Sequence, residues 1–383
     1  MGCIKWPRIG LITTALASCA ASAWAQLPNE PAAVEMLPQQ PGPHWLWVND
    51  IAFFNFADGK AVLVDGDAGK PLGMLSTGVG FNGVVIPSKA DVIYSPETYY
   101  SRGTRGTRTD VVTIYDAAGL RPVAEIEIPP KRSSNMPMVS AAALTDDDRF
   151  LLIYNFTPAQ SVTVVDARGR KFAGEIETAG CALVYPTGAR SFFSICGDGS
   201  LLAVTLNEAG GLAGSTRTAE LFDGMKDPLT EKGVRSGDTW LFASFEGTIY
   251  PIQSRAQGIQ LAEKWSLFSS PERAGRWRTG GLQHLALHRG SNRLYALVHQ
   301  GGPETHKDPG TEIWVYDLAS RRKVQQIPVH NKTGSIQVSQ DSKPLLYASF
   351  IESNVLDIYD ASSGQYLRSI DSIAQSPTIL VTP

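Results

Sequence analysis

An all-β fold, a seven-bladed β-propeller of four-stranded blades, is the architecture this sequence predicts, and three observations predict it. A short apolar run ending in aspartate recurs: Val62-Leu63-Val64-Asp65, Val111–Asp116 (VVTIYD), Val162–Asp166 (VTVVD), Ile313–Asp317 (IWVYD) and Leu356–Asp360 (LDIYD). β-branched and aromatic residues fill these runs, and Gly69, Gly119, Gly169 and Gly364 follow where the backbone must reverse. The second observation is spacing. Asp65 and Asp116 are 51 residues apart, Asp116 and Asp166 are 50, and Asp317 and Asp360 are 43. The 151 residues from Asp166 to Asp317 leave room for two degenerate copies, at Gly199–Val204 and Gly247–Ile252. Repeats of about 40–50 residues holding about four short strands each are blade-sized. Third, polar turns lead into apolar runs between the aspartates, at Asp148–Ile153, Ser291–Ala296 and Asp341–Tyr347. A non-repetitive β-sandwich would have to hold one period across nearly the whole chain by chance.

Bulk properties agree. With 43% hydrophobic residues a sizeable core is available, and 36 Gly with 24 Pro favour turns over long helices. Outside the N-terminus no stretch approaches the ~20 apolar residues of a membrane span. The formal charge is −3, and becomes −5 (32 bases against 37 acids) once Lys5 and Arg8 leave with a leader. No basic block stands out, which argues against nucleic acid.

Residues 1–25 read as a secretory signal. Lys5 and Arg8 supply the positive end, Ile9–Ala17 the apolar run, and Ala23-Trp24-Ala25 an A-x-A cleavage site. Leu16-Ala17-Ser18-Cys19 also fits a lipoprotein box, which would leave Cys19 as a lipidated N-terminus. Either way the protein is exported. Cys181 and Cys196 then remain in the mature chain, and in an oxidising compartment two cysteines 15 apart most simply form one disulfide. Tyr185-Pro186-Thr187-Gly188 is the expected turn between them, and closing such a loop is worth about 3 kcal/mol. The other reading, a redox-active pair, lacks the short C-x-x-C spacing.

Residues 26–43 carry five prolines and no periodicity, so they read as an extended arm over a neighbour, or as a disordered stub. The β pattern, and with it a propeller over 44–383, begins at His44-Trp45-Leu46-Trp47-Val48-Asn49-Asp50. Ile51–Phe56 (IAFFNF) then places three aromatics in four positions, which must be buried on both faces or leave a contact patch exposed. Arg102, Arg105 and Arg108 sit on a Gly/Thr-rich loop, read either as an anion site or as a solvated loop docked through Asp110. His284 and His288, four apart in a strand-like context, would lie ~13 Å apart, too far to share one zinc ion. No haem-attachment motif, P-loop or nucleophile elbow is present. The sequence therefore offers no catalytic constellation of its own and no metal site.

From about Trp45 onwards the chain resembles the heavy (large, α) subunit of the quinoprotein amine dehydrogenases. The stretches that carry the resemblance are Ser101–Asp110 with the strand after it, Cys181 with Cys196–Leu201, Trp277–Gly281, His288-Arg289, Thr305-His306-Lys307 and Val338–Asp341. Pro129–Arg132 and Glu312–Val315 look more like the aromatic-amine branch, Val338–Ala348 more like the methylamine branch. The resemblance implies a periplasmic seven-bladed propeller that assembles as two heavy and two light subunits. It implies a tryptophan tryptophylquinone cofactor in the light subunit, oxidation of a primary amine to aldehyde plus ammonia, and a small blue copper protein as electron acceptor. No catalytic, metal-binding or cofactor-binding residue is expected in this chain, which would serve as scaffold, channel wall and docking surface. The family's substrate-channel phenylalanine falls on Phe54, with Phe53 one place off, and the family disulfide matches Cys181 with Cys196. The competing expectations are a non-catalytic envelope propeller that serves as a binding or scaffold module, and a propeller hydrolase with a central metal. The latter needs inward carboxylates, whereas the repeat aspartates read as turn residues.

Overall fold

The computed structural model describes Gly2 and residues 35–80, 83–134, 136–255 and 258–383. The secretory signal, the lipoprotein box and the first part of the proline-rich arm lie outside them. Met36–Pro383 forms one compact unit.

Four of the five apolar runs ending in aspartate become the third strand of a sheet, Val111–Asp116 lies one strand from the far edge of a seven-stranded one, and each aspartate caps the turn beyond it. The Asp65 carboxylate accepts from the Asp67 and Ala68 amides, Asp116 from Gly119, Asp166 from Gly169, Asp317 from Ser320 and Asp360 from Ser363. The two degenerate copies fold the same way, because Leu201–Leu206 and Thr248–Arg255 are the third strands of their sheets. Phe150–Asn155, Arg293–Gln300 and Leu345–Ser349, the runs after the polar turns, pair directly with third strands. Period-two burial of one face and apolar cover on the other account for all of them.

Among the described residues the strands fall into six sheets rather than seven separate ones. Five hold four or five strands each. The first holds seven, because Lys70–Gly78 touches Val92–Tyr100 through a single parallel pair, Gly78 with Thr98. One pair contributes little beside the antiparallel ladders on either side. The first sheet is also where the chain's two ends meet, since Pro377–Val381 pairs antiparallel with Trp45–Asp50. First strands of neighbouring sheets lie side by side, as the parallel bridge from Gln283 to Ser335 shows.

Apolar clusters fill the spaces between sheets. One joins Leu46, Val48 and Val62 of the first sheet to Leu345, Tyr347 and Ile358 of the last. Another unites Leu241, Ile249, Leu294, Trp314 and Tyr316 from two successive sheets. Each such buried large side chain is worth about 1.5–3 kcal/mol. Of the arm, residues 35–43 are described. The Leu37 amide donates to the Ala118 carbonyl, and Pro38 and Pro41 lie near Trp45 and Trp47.

Cys181 and Cys196 are joined as a disulfide between directly paired residues of adjacent strands, Cys181–Gly188 and Ser191–Cys196. The expected turn is displaced. Tyr185–Gly188 continues the first strand, and the reversal comes at Ala189-Arg190. Tyr185 is fully buried and stacks on Phe193 at 5.0 Å, so packing overrides the turn preference of a Pro-Thr-Gly run.

His44 ties the start of the fold to its last sheet. Its Nδ1 lies 2.8 Å from Asp67, its Nε2 3.1 Å from the Lys343 carbonyl, and its own carbonyl accepts from the Tyr347 hydroxyl. Partial burial opposes the imidazolium, but the hydrogen bond and charge of Asp67 and the charge of Asp341 outweigh it and raise its pKa above 6.5. Such a group stabilises the fold fully below its unfolded value and ceases to do so as pH rises through the raised one. Urea midpoints of the native chain should therefore exceed those of His44→Gln below pH 6.5, with the gap closing on the alkaline side. A gap that widens with pH would refute this.

Candidate functional site: an aromatic corner on one face

With the seven-stranded sheet divided at its parallel pair, the loop into each strand that ends in a repeat aspartate or its degenerate copy and the exit from the outer strand share one edge. The chain enters the next sheet by that same edge, so these loops build a single face. The large apolar side chains exposed on it are Phe53, Phe54, Tyr99, Met136, Phe156 and Met225. The other exposed apolar residues of comparable size are mostly scattered singly on outer strands, as is ordinary.

Phe53 and Phe54 lie at the corner where Trp45–Asp50 gives way to Gly59–Asp65. From the sequence, Ile51–Phe56 has to bury its aromatics on both faces or leave some exposed. The structure shows a loop followed by a one-turn 3-10 helix, Phe56–Asp58. The strand breaks because Asp50 turns its side chain inward to cap the loop, and Ala52 adopts a positive φ of 50°. Phe53 is 51% and Phe54 79% exposed, with ring centroids 5.4 Å apart, edge to face. Phe56, half-buried, braces Phe53 at 5.5 Å. Two adjacent phenylalanines held open to solvent forfeit burial that a core would supply.

The residues that hold this corner were not picked out from the sequence. Asp50, 1% exposed, accepts from the amides of Ala52, Gln375 and Ser376. Buried Asn49 donates to the Ile379 carbonyl and accepts from the Val84 amide. The one sequence signal was a polar Asn-Asp pair ending an otherwise apolar strand.

The arginine loop is settled in favour of docking for one of its three residues. Arg108 grips the fully buried Asp110 through Nε and Nη2 at 2.8 and 2.7 Å, and Asp110 also accepts from Thr98 and the Arg132 amide. Buried Arg132 donates to the Val79 carbonyl, and burial lowers its pKa to about 10 despite the charge of Asp110. Arg102 and Arg105 point to solvent. Nearby, burial pushes the Glu97 carboxyl up, against hydrogen bonds from Thr113 and Tyr99.

His284 and His288 are both buried but serve separate neighbours. The Thr230 hydroxyl donates to the Ala243 carbonyl, so His284 Nε2 is the donor to Thr230 at 3.2 Å. Burial, then the charge of Lys232, hold the His284 imidazole neutral. His288 lies 2.6 Å from Ser291 and 2.9 Å from the Asp341 carbonyl. Among the described residues no group of three or more His, Cys, Asp or Glu is arranged to hold a metal ion.

The all-β, propeller-like class defined by these sheets is matched by solved structures. The Cps50 (Swd1) β-propeller domain of Myceliophteria thermophila has a TM-score of 0.54 at 12% identity, covering 80% of this chain and 91% of that one. Dihydro-heme d1 dehydrogenase NirN, in complex with DHE, also has a TM-score of 0.54, at 16% identity over 94% of this chain and 78% of that one. Sequence comparison goes further. The methylamine dehydrogenase heavy chain (MADH) family model matches residues 43–383. The heavy chain of Methylophilus methylotrophus is 32% identical over 83% of this chain and 78% of its own length. That of Paracoccus versutus is 31% identical over 92% and 82%. The chain belongs to the methylamine dehydrogenase heavy chain family.

Removing Asp110 would leave two arginines, one of them buried, without their counter-charge. Asp110→Ala should destabilise the chain by about 3–5 kcal/mol, read from urea unfolding. A loss below about 1 kcal/mol, the range of a surface pair, would contradict the pairing described.

Proposed function

We propose that this chain is the heavy subunit of a periplasmic amine dehydrogenase, a scaffold and channel wall whose Phe54 and Phe53 line the route of a primary amine to a light subunit. The observation that carries this reading is the solvent-open aromatic pair at the Asp50 corner, in a chain of this family, at the position the family resemblance assigns to its channel phenylalanine. The remaining exposed apolar residues of the same face extend the surface on which the light subunit docks. Dividing the seven-stranded sheet at its lone parallel pair leaves seven groups of strands. We read these as seven blades, with the pairing of Pro377–Val381 and Trp45–Asp50 as the seam that closes them.

In the assembled enzyme, two heavy and two light subunits, the electrophile and the two-electron acceptor would be supplied by the light subunit's tryptophan tryptophylquinone, with a small blue copper protein as the outlet for the electrons. The work of this chain is physical. Phe54 and Phe53 present an apolar wall that excludes water from the amine's path and limits the size of its carbon chain. The rigid loop keeps that wall in one place. Export through the leader and the disulfide fit a periplasmic location.

Two measurements test the proposal. Purified from its native host, the chain should bring with it a small, cysteine-rich partner with a visible quinone absorption; a partner-free chain would argue for a binding or scaffold module instead. In the assembled enzyme, Phe54→Ala should shift the kcat/KM ratio between methylamine and a bulkier amine by about tenfold. The melting temperature of the free heavy chain should stay unchanged, since there the ring is already 79% exposed. An unaltered ratio would remove Phe54 from the route.

A further inference from the structure

The Phe53–Phe54 loop is not held by its own packing. Its rings face solvent, and its backbone hangs from groups that come largely from the other end of the chain. Asp50 Oδ1 accepts from the Ala52 amide at 2.7 Å and the Ser376 amide at 2.9 Å, while Oδ2 accepts from Gln375 at 2.7 Å. The Ser376 hydroxyl in turn accepts from the Phe53 amide at 3.2 Å. Asp50 is 1% and Ser376 0% exposed, and Asp50 makes no ion pair among the described residues. Three amide dipoles thus replace the water a carboxylate would lose, and all three belong to segments that flank the loop. A buried acid spent on backbone amides, directly before two exposed aromatics, fixes where those aromatics stand.

We infer that Asp50 and Ser376 are positioning residues. The chain's C-terminal segment sets the place of Phe53 and Phe54 through them, and so sets the size of amine admitted. This rests on the reading of Phe54 as part of the amine route. The anchoring itself does not.

Ser376→Ala removes only the acceptor for the Phe53 amide and leaves the strand pairing intact. Asp50→Asn keeps one acceptor oxygen and sets an amide NH2 against the Gln375 N–H. In the free heavy chain, Ser376→Ala should speed hydrogen exchange at Phe53 about fivefold, as for the loss of one hydrogen bond. Unchanged exchange would overturn the anchoring. In the assembled enzyme, Ser376→Ala and Asp50→Asn should each shift the methylamine-to-bulky-amine ratio of kcat/KM in the direction of Phe54→Ala. That shift should vanish when either is combined with Phe54→Ala, whereas general damage to the fold would persist. If Phe54→Ala shifts the ratio and Ser376→Ala does not, the positioning role falls and the amine route stands. If Phe54→Ala leaves the ratio unchanged, the route falls, and exchange at Phe53 alone then decides the anchoring.

Discussion

The structure depends on one seam. Pro377–Val381 adds itself to the sheet begun by Trp45–Asp50, so the first and last segments of the fold complete one another. Nothing local drives this pairing, which spans more than three hundred residues and carries a large loop-closure entropy. It is offset by side chains that cross the seam. Asn49 reaches the Ile379 carbonyl, Asp50 takes the Gln375 and Ser376 amides, Thr378 Oγ1 donates to the Asn49 carbonyl, and Leu46, Val48 and Leu380 share an apolar cluster with the last sheet. His44 and Arg368 add contacts from the rim, through Lys343 and Gly66.

The seam and the aromatic corner share Asp50. A carboxylate buried without a cation is expensive unless backbone donors surround it. Here the donors come from both sides of the seam, so the same side chain ties the two segments together and ends the strand before Phe53. The exposure of Phe53 and Phe54 thus goes with the pairing of these two segments.

The rest of the face combines apolar exposure with well-satisfied interior charge. Asp110 gathers Arg108 and the Arg132 backbone beneath the Ser101–Thr107 loop, while Arg102 and Arg105 stay in water.

The sequence by itself determined the repeat. Aspartates at a near-constant period, each after an apolar run, are local signals, since the turn they cap and the strand they close need only neighbouring residues. The cysteine spacing pointed to the disulfide Cys181–Cys196 that the structure holds. Tertiary structure decided the rest. The Pro-Thr-Gly turn after Tyr185 gave way to a strand because Tyr185 found a buried stack on Phe193. Ile51–Phe56 forms a loop that exposes Phe53 and Phe54 because Asp50 found partners at Gln375 and Ser376. Those partners lie more than three hundred residues away along the chain, and a carboxylate shows its acceptors' targets only when the fold brings them within 3 Å.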